Sequence, residues 1–505
     1  VLARAVGLAR RTGVTIPLAF RAARAGNVFT THTPISAAFD EFDPAMLTHY
    51  AMPFLKTVAL PAERLLALGR SDPQNAAEPF NMAFLAMRGC CHVNAVSQLH
   101  GRVSQRLFST IYAGWPETEV PIGAITNGVH IPTWNSAPAR DIWVSHSQDN
   151  GWFEDLSSPA SALNHVDPTR LWNMRANVRQ TLVEYVRTRL QRQLQVQGES
   201  ESVVREAGHV LDPNVLTLGF ARRFTEYKRP TLLLHDTARF MRLLLDPARP
   251  VQLIVAGKAH PNDGYGKQLV RTMARFAMRP ELRNRVVFIE DYDMVLAQHL
   301  AGGIDVWLNT PRRPAEACGT SGMKMLFNGG LHLSVRDGWW DEAWNPSVGW
   351  AIGDGLEDDA ATRDIREAEQ LYEVLEQEVI PEFYDRDNDG VPHRWLERVY
   401  ASMSGLTPQF SSHRMVKDYV RLAYCPAAGA IDRRIKDDAR IAHELYEWHL
   451  QLEEKWRDLR FGELRVSDSD DHWKFTVDVY LGDLAPDCVR VELYADSLGE
   501  GGARP

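Results

Sequence analysis

The sequence predicts an α/β protein built on parallel, doubly wound sheet. Three observations lead there. Short apolar runs at residues 215–220, 251–256, 286–290, 304–308 and 331–335 alternate with helical segments, the pattern of repeated β-α-β units. The first run is followed at once by Arg222, Arg223, Lys228 and Arg229, and ligands of open α/β sheets bind outside the carboxyl ends of strands. At 505 residues and 45% hydrophobic content, the chain has material for two or three domains with large cores.

In chain order, residues 1–24 read as two helical stretches that feed into Thr31-His32-Thr33-Pro34. No acidic residue precedes Asp40, while Arg4, Arg10, Arg11, Arg21 and Arg24 are basic, a composition that imitates an organellar transit peptide. The start at Val1 without methionine and the direct run into the motif instead lead us to expect an interior start, with the N-terminal region incomplete. A long apolar helix is expected around residues 80–98. Residues 1–126 then form a partial N-terminal α/β domain, and residues 127–430 a larger Rossmann-like domain carrying the apolar runs. A charged helical stretch at 432–459 leads to residues 473–494, whose alternation predicts antiparallel strands in a small C-terminal β extension spanning 431–505.

Composition and spacing exclude several classes. A net charge of −9 leaves no footprint for nucleic acid, and no unbroken apolar run is long enough to span a bilayer, so neither nucleic acid nor membrane is an expected partner. Cys90, Cys91, Cys318, Cys425 and Cys488 lack the paired spacing of zinc or thioredoxin-type sites, which predicts reduced thiols in a cytoplasmic protein. Asp385 to Gly390 imitates a calcium loop, but Leu396 stands where a bidentate carboxylate is needed. His443 and His449 fall on different helix faces, and Gln268 breaks the phosphate-loop spacing of residues 257–267. No metal is assigned.

The most informative stretch is Glu316-Ala317-Cys318-Gly319-Thr320-Ser321-Gly322-Met323-Lys324, where small residues and hydroxyls precede one lysine at the start of an apparent helix. Its N–H and O–H donors suit a phosphate, and Lys324 suits an imine with an aldehyde cofactor. Taken alone, this stretch also reads as a helix cap with a solvated lysine, and the cations at 222–229 as a solvated charge patch.

Four further blocks stand with these two: Thr31-His32-Thr33-Pro34, Ile125-Thr126-Asn127-Gly128-Val129-His130, Asp291-Tyr292-Asp293-Met294 and Phe410-Ser411-Ser412. In this order they resemble the α-glucan phosphorylases of the glycogen, starch and maltodextrin phosphorylase family, nearer its shorter microbial branch. The resemblance covers nearly the whole chain. It implies the GT-B arrangement, two doubly wound parallel-sheet domains facing a cleft, and a homodimer as in many family members. It also implies reversible transfer of the terminal glucosyl unit of glycogen, starch or maltodextrin, an α-1,4-glucan, to inorganic phosphate, with pyridoxal 5'-phosphate as cofactor. A match to the family's glycine-rich loop is not found in the sequence.

Carried over by position, Lys324 matches the lysine that holds pyridoxal phosphate as a Schiff base. Arg223 and Lys228 match cations at the inorganic and cofactor phosphates, Thr320 and Ser321 match positions at the cofactor phosphate, and Arg222 holds a place usually taken by a cation. Tyr292 and Trp134 resemble aromatic residues around the cofactor. On the sugar side, Glu316 matches a carboxylate that binds glucosyl hydroxyls and Asn127 an amide that binds the sugar, with Gly319 in the same turn. His32 matches a histidine whose backbone carbonyl faces the reacting carbon. Lys324, Arg223, Lys228 and His32 are therefore the expected catalytic residues. Cys318 stands where the family more often has serine, and is expected to be open to thiol reagents.

The chemistry implied explains the company these residues keep. Phosphorolysis builds an oxocarbenium-like centre that a nearby dianion both stabilises and captures. Two phosphates held close together repel, and cations neutralise that repulsion while the crowding drives a proton towards the leaving oxygen. Two other readings stay open: a sugar-nucleotide glucosyltransferase of the glycogen-synthase kind, without an imine at Lys324, and a non-catalytic glucan-binding fragment.

Overall fold

The computed structural model describes residues 1–58, 60–145, 165–355, 359–469 and 472–493, together with residues 156, 160, 161 and 163. Val28–Thr30 (β1), His92–Ala95 (β2) and Gly123–Ala124 (β3) form a small parallel sheet in sequential order. Leu216–Ala221 (β4), Val251–Ala256 (β5), Val286–Ile289 (β6), Val306–Asn309 (β7), Leu331–Val335 (β8) and Gly349–Ile352 (β9) form a larger parallel sheet in the order β9-β8-β7-β4-β5-β6. Every residue of β4, β5, β7 and β8 is buried, because helices cover both faces. Such strands read as near-continuous apolar runs, and each of the apolar runs read from the sequence is a strand here. The sixth strand, β9, is only four residues long and was not expected.

The helix expected around residues 80–98 is several elements. Phe80–Asn81 pairs antiparallel with Glu41–Phe42, Met82–Gly89 is helical, β2 follows, and a new helix starts at Gln98. Asn81 caps the first helix by accepting from the N–H groups of Ala83 and Phe84, and Cys90 turns the backbone to φ −126° and ψ 146°. Pairing of β2 between β1 and β3 overrides local helix propensity.

Helices Leu2–Thr12 and Ile16–Arg24 occupy the two helical stretches read at the start of the chain. Their Ala5, Leu8, Leu18, Ala19, Ala22 and Ala23 pack against Ala439 and Ala442 of the helix Cys425–Lys455, small residues that let the helices approach closely. That helix begins before residue 432, so a boundary at 430 falls inside a continuous helix. It leads to an antiparallel hairpin, Arg460–Ser469 (β10) and His472–Tyr480 (β11). Residues 481–493 contain no strand, in contrast to the alternation read there, and Tyr494 lies outside the described residues. Among the described residues no helix is long and apolar enough to cross a membrane, and no cluster of histidine, cysteine and acidic groups could hold a metal.

The helix Pro168–Val196 is fastened to the larger sheet by a buried ionic network. Arg175 donates to the carbonyls of Gly302 and Ile304 (both 2.7 Å) and Asn328 (2.8 Å), and to Asp305 Oδ1 at 3.1 Å. Arg179 donates to the same oxygen at 2.6 Å, while Asp305 Oδ2 accepts from the Thr217 N–H at 3.0 Å. Removing the carboxylate strands two cations without solvent. Asp305→Ala is expected to cost about 3–5 kcal/mol, read by urea unfolding. A loss below about 1 kcal/mol, the range of exposed ion pairs, would contradict the network's role.

Candidate active site

Strand order in the larger sheet reverses between β4 and β7, and a reversal of this kind opens a crevice at the carboxyl ends of the two strands. The loop after β4 carries Arg222 to Arg229, and the loop after β7 carries Thr310 to Gly322. Opposite them lie the residues that follow the strands of the small sheet: His32 after β1, Val96 after β2 and Asn127 after β3. The lobes are tied beside this opening. Ser97 Oγ donates to the Ala317 carbonyl (2.6 Å), Thr126 Oγ1 to Glu342 (2.9 Å), and Arg102 pairs with Asp341 (3.1 Å). Between the lobes is a cleft of about 270 Å³, lined by His32, Val96, Asn127, Arg222, Lys228, Glu316 and the turn from Ala317 to Ser321.

The turn needs its glycine. Gly319 has φ 81°, and a Cβ there would stand 3.2 Å from Glu316 Cγ. The Trp339 N–H donates to the Cys318 carbonyl at 2.9 Å, and Trp307 Nε1–H donates to Ser321 Oγ at 3.2 Å. The helix that follows, Met323–Leu326, has only four residues. The dipole of so short a helix is weak, and the turn's own donors and the neighbouring cations supply the positive field. Cys318 is buried, and burial pushes its thiol well above the ordinary range, so the expected openness to thiol reagents is corrected.

Arg222 Nη2 lies 2.5 Å and Lys228 Nζ 3.3 Å from the same oxygen, Glu316 Oε2. These side chains are 3%, 12% and 9% exposed, so solvent screens the cluster little. Burial pushes the Glu316 carboxyl up, but Arg222 and Lys228 outweigh it and hold it below the usual range. Burial, then the charge of Arg222, lowers the Lys228 amine to about 8 against the pull of Glu316. Behind them, Asp337 Oδ2 accepts from the Glu316 N–H at 3.0 Å, and burial raises the Asp337 carboxyl to about 7. Arg222 Nη1 is buried without a hydrogen-bond partner among the described residues.

Other predicted residues lie apart from the cleft lining. Lys324 is half-buried, its Nζ sits 3.8 Å from the centroid of the Trp134 ring, and burial lowers its pKa. Tyr292 packs on the apolar cluster that contains Trp134 and Cys318, its hydroxyl raised by burial and opposed by the nearby Arg222 charge. Arg223 is exposed and does not line the cleft, although its charge acts on Tyr227 and Lys228. Arg229 is turned away: it donates to the carbonyls of Thr310 (3.0 Å) and Pro311 (2.8 Å) and pairs with Asp364 and Glu367. It clamps the loops after β4 and β7 together. Sequence reasoning missed Asp337, Ser97 and Val96. Asp337 directly follows the carboxyl end of β8 by two residues, the position where the sheet rule places ligand-side groups.

Residues 16–342, a stretch that includes both sheets up to β8, match the family model of the carbohydrate phosphorylases. The chain belongs to the carbohydrate phosphorylase family. Among curated phosphorylases, it is 44% identical over 459 residues to a glycogen phosphorylase of Mycobacterium tuberculosis, covering 88% of this chain and 52% of the relative. It is 39% identical to a glycogen phosphorylase of Aquifex aeolicus, covering 82% and 59%, and 35% identical to a maltodextrin phosphorylase of Thermococcus litoralis, covering 97% and 57%. The chain spans about half the length of the curated relatives it matches. Within this cleft the turn glycine is constrained by its positive φ of 81°. Gly319→Ala is expected to lower stability by about 1–2 kcal/mol and to move the Glu316 carboxylate off Arg222. A crystal structure of the variant with an unchanged ion pair, at unchanged stability, would contradict this.

Proposed function

We propose that this chain carries the cofactor- and phosphate-binding machinery of an α-glucan phosphorylase, which transfers a terminal glucosyl unit of an α-1,4-glucan reversibly to inorganic phosphate, giving glucose 1-phosphate. The observation that carries the reading is the cation pair Arg222 and Lys228 facing a hydroxyl-bearing turn, with the half-buried Lys324 three residues beyond it. In this reading residues 1–126 contribute the glucan side, residues 127–430 the cofactor and phosphate side, and residues 431–505 the linking helix and β extension. The protein works in the cytoplasm, as a homodimer.

Pyridoxal 5'-phosphate fits the residues present. Among the described residues a buried guanidinium nitrogen of Arg222 lacks a partner, Thr320 and Ser321 line the same cleft, and the Lys324 amine is held below its ordinary pKa. An amine of lowered pKa spends more time unprotonated, the form that reacts with an aldehyde. Lys324 would hold the cofactor's aldehyde carbon, Thr320, Ser321 and Arg222 its phosphate, and Trp134 and Tyr292 its surroundings. When bound, the cofactor would supply a second phosphate able to relay a proton.

The chain's own groups do the remaining work. Arg222 and Lys228 neutralise the two anions, and Arg223 adds its charge from the rim. Glu316 accepts hydrogen bonds from glucosyl hydroxyls, Asn127 binds the sugar through its amide, and Gly319 leaves room for it. The His32 backbone carbonyl presents partial negative charge to the carbon that becomes oxocarbenium-like.

Supplied with pyridoxal phosphate and reduced with borohydride, the folded chain is expected to carry a stable adduct on the peptide containing Lys324, and Lys324→Ala to carry none there. A folded wild-type chain without the adduct would favour a sugar-nucleotide enzyme or a non-catalytic protein. The Lys228 pKa of about 8 gives a second test. Its amine is charged below that pH and loses its charge above it, so phosphate affinity falls as pH rises through about 8. Lys228→Arg, cationic throughout, keeps its affinity across that range. A flat wild-type profile in a phosphate titration would rule the role out.

A further inference from the structure

We infer that Glu316 is an exchangeable counter-ion: in the absence of inorganic phosphate its carboxylate occupies Arg222 Nη2 and the Lys228 amine, and incoming inorganic phosphate displaces it and so frees it for the glucosyl unit. The inference rests on the phosphorylase reading and assigns that site an order of events.

The two cations converge on a single oxygen, Glu316 Oε2, at 2.5 and 3.3 Å, while Arg222 Nη1 is buried and unpaired among the described residues. One carboxylate thus leaves the cluster short of both negative charge and acceptors, with Arg223 adding further positive charge close by. A phosphate dianion carries two charges and several acceptor oxygens, and can take Arg222 Nη2 and the Lys228 amine together, leaving Nη1 for the cofactor phosphate. It therefore outcompetes the carboxylate for them.

The Glu316 backbone is held independently of its side chain. Its N–H is held by Asp337 at 3.0 Å, and the neighbouring Gly319 has no Cβ to crowd the Glu316 stem. A side-chain rotation is enough for the exchange. Once displaced, the carboxylate is a buried anion that has lost its partners, which is costly until new donors replace them. The hydroxyls of a glucosyl unit in the same cleft are such donors. Phosphate binding therefore raises the affinity for sugar, and by linkage sugar raises the affinity for phosphate by the same factor. Without phosphate, Glu316 stays on its cations and the sugar is poorly held. The exchange thus favours attack by phosphate over attack by water.

Calorimetric titration of inorganic phosphate into the pyridoxal-phosphate-loaded chain, with and without maltopentaose, tests this. The wild type is expected to bind phosphate about tenfold tighter when maltopentaose is present. Glu316→Gln, which removes the internal competitor, is expected to bind phosphate about tenfold tighter without glucan and to show no coupling. Weaker or unchanged phosphate binding by this variant, or coupling that survives in it, would overturn the exchange. Wild-type coupling is measured without any substitution, so its absence in a chain that binds both ligands overturns the exchange even if the variant fails to fold. A loaded wild type that binds neither ligand would instead refute the phosphorylase reading itself.

Discussion

Arg222 and Lys228 are withdrawn from water at the meeting point of two sheets, and within the protein the nearest compensation for their charge is one oxygen of Glu316. Burial first, and then repulsion from the Arg222 charge, lowers the Lys228 amine to about 8. The rest of the cleft is arranged around that strain. Asp337 fixes the Glu316 backbone, Gly319 adopts a backbone conformation that leaves the carboxylate room, and Ser97 ties the turn to the opposite lobe. An anion is what such a cluster lacks.

Topology explains why these residues meet. The chain enters the larger sheet at β4, builds one side through β5 and β6, then returns to β7 and builds the other. The loops after β4 and β7 are forced apart at the reversal, and Arg229 bridges them through the carbonyls of Thr310 and Pro311. That arginine is a structural clamp that keeps the functional cations of its own loop in position. Beneath, Asp305 with Arg175 and Arg179 fastens the long helix Pro168–Val196 to the same pair of strands.

How far the sequence could be read follows from burial. β4, β5, β7 and β8 are covered on both faces, so their apolar runs announced them. β9 begins on Gly349, so it offers only three apolar residues in a row, too few for a pattern. Residues 80–98 misled because an apolar segment of that length suits a helix, while the decision to make β2 is taken by strands β1 and β3, more than 20 residues away on either side. In the site, the cations that include Lys228 and the glycine turn were legible from residue type and spacing, while Glu316 was singled out only by the resemblance. The partnership of Arg222 with Glu316, 94 residues apart, is tertiary and was not legible. Arg222, Arg223 and Arg229 show the same limit: three cations on one loop take three different environments, and only the fold assigns them.

The central claim is that this cation cluster serves phosphate as the acceptor of a glucosyl unit. It is tested most directly by supplying the pyridoxal-phosphate-loaded protein with maltodextrin and isotopically labelled inorganic phosphate and following the label. The account predicts label in glucose 1-phosphate, formed in proportion to the phosphate supplied and with no nucleotide present. Glucosyl transfer that requires a sugar nucleotide and ignores phosphate, or release of free glucose with no label incorporated, would contradict it.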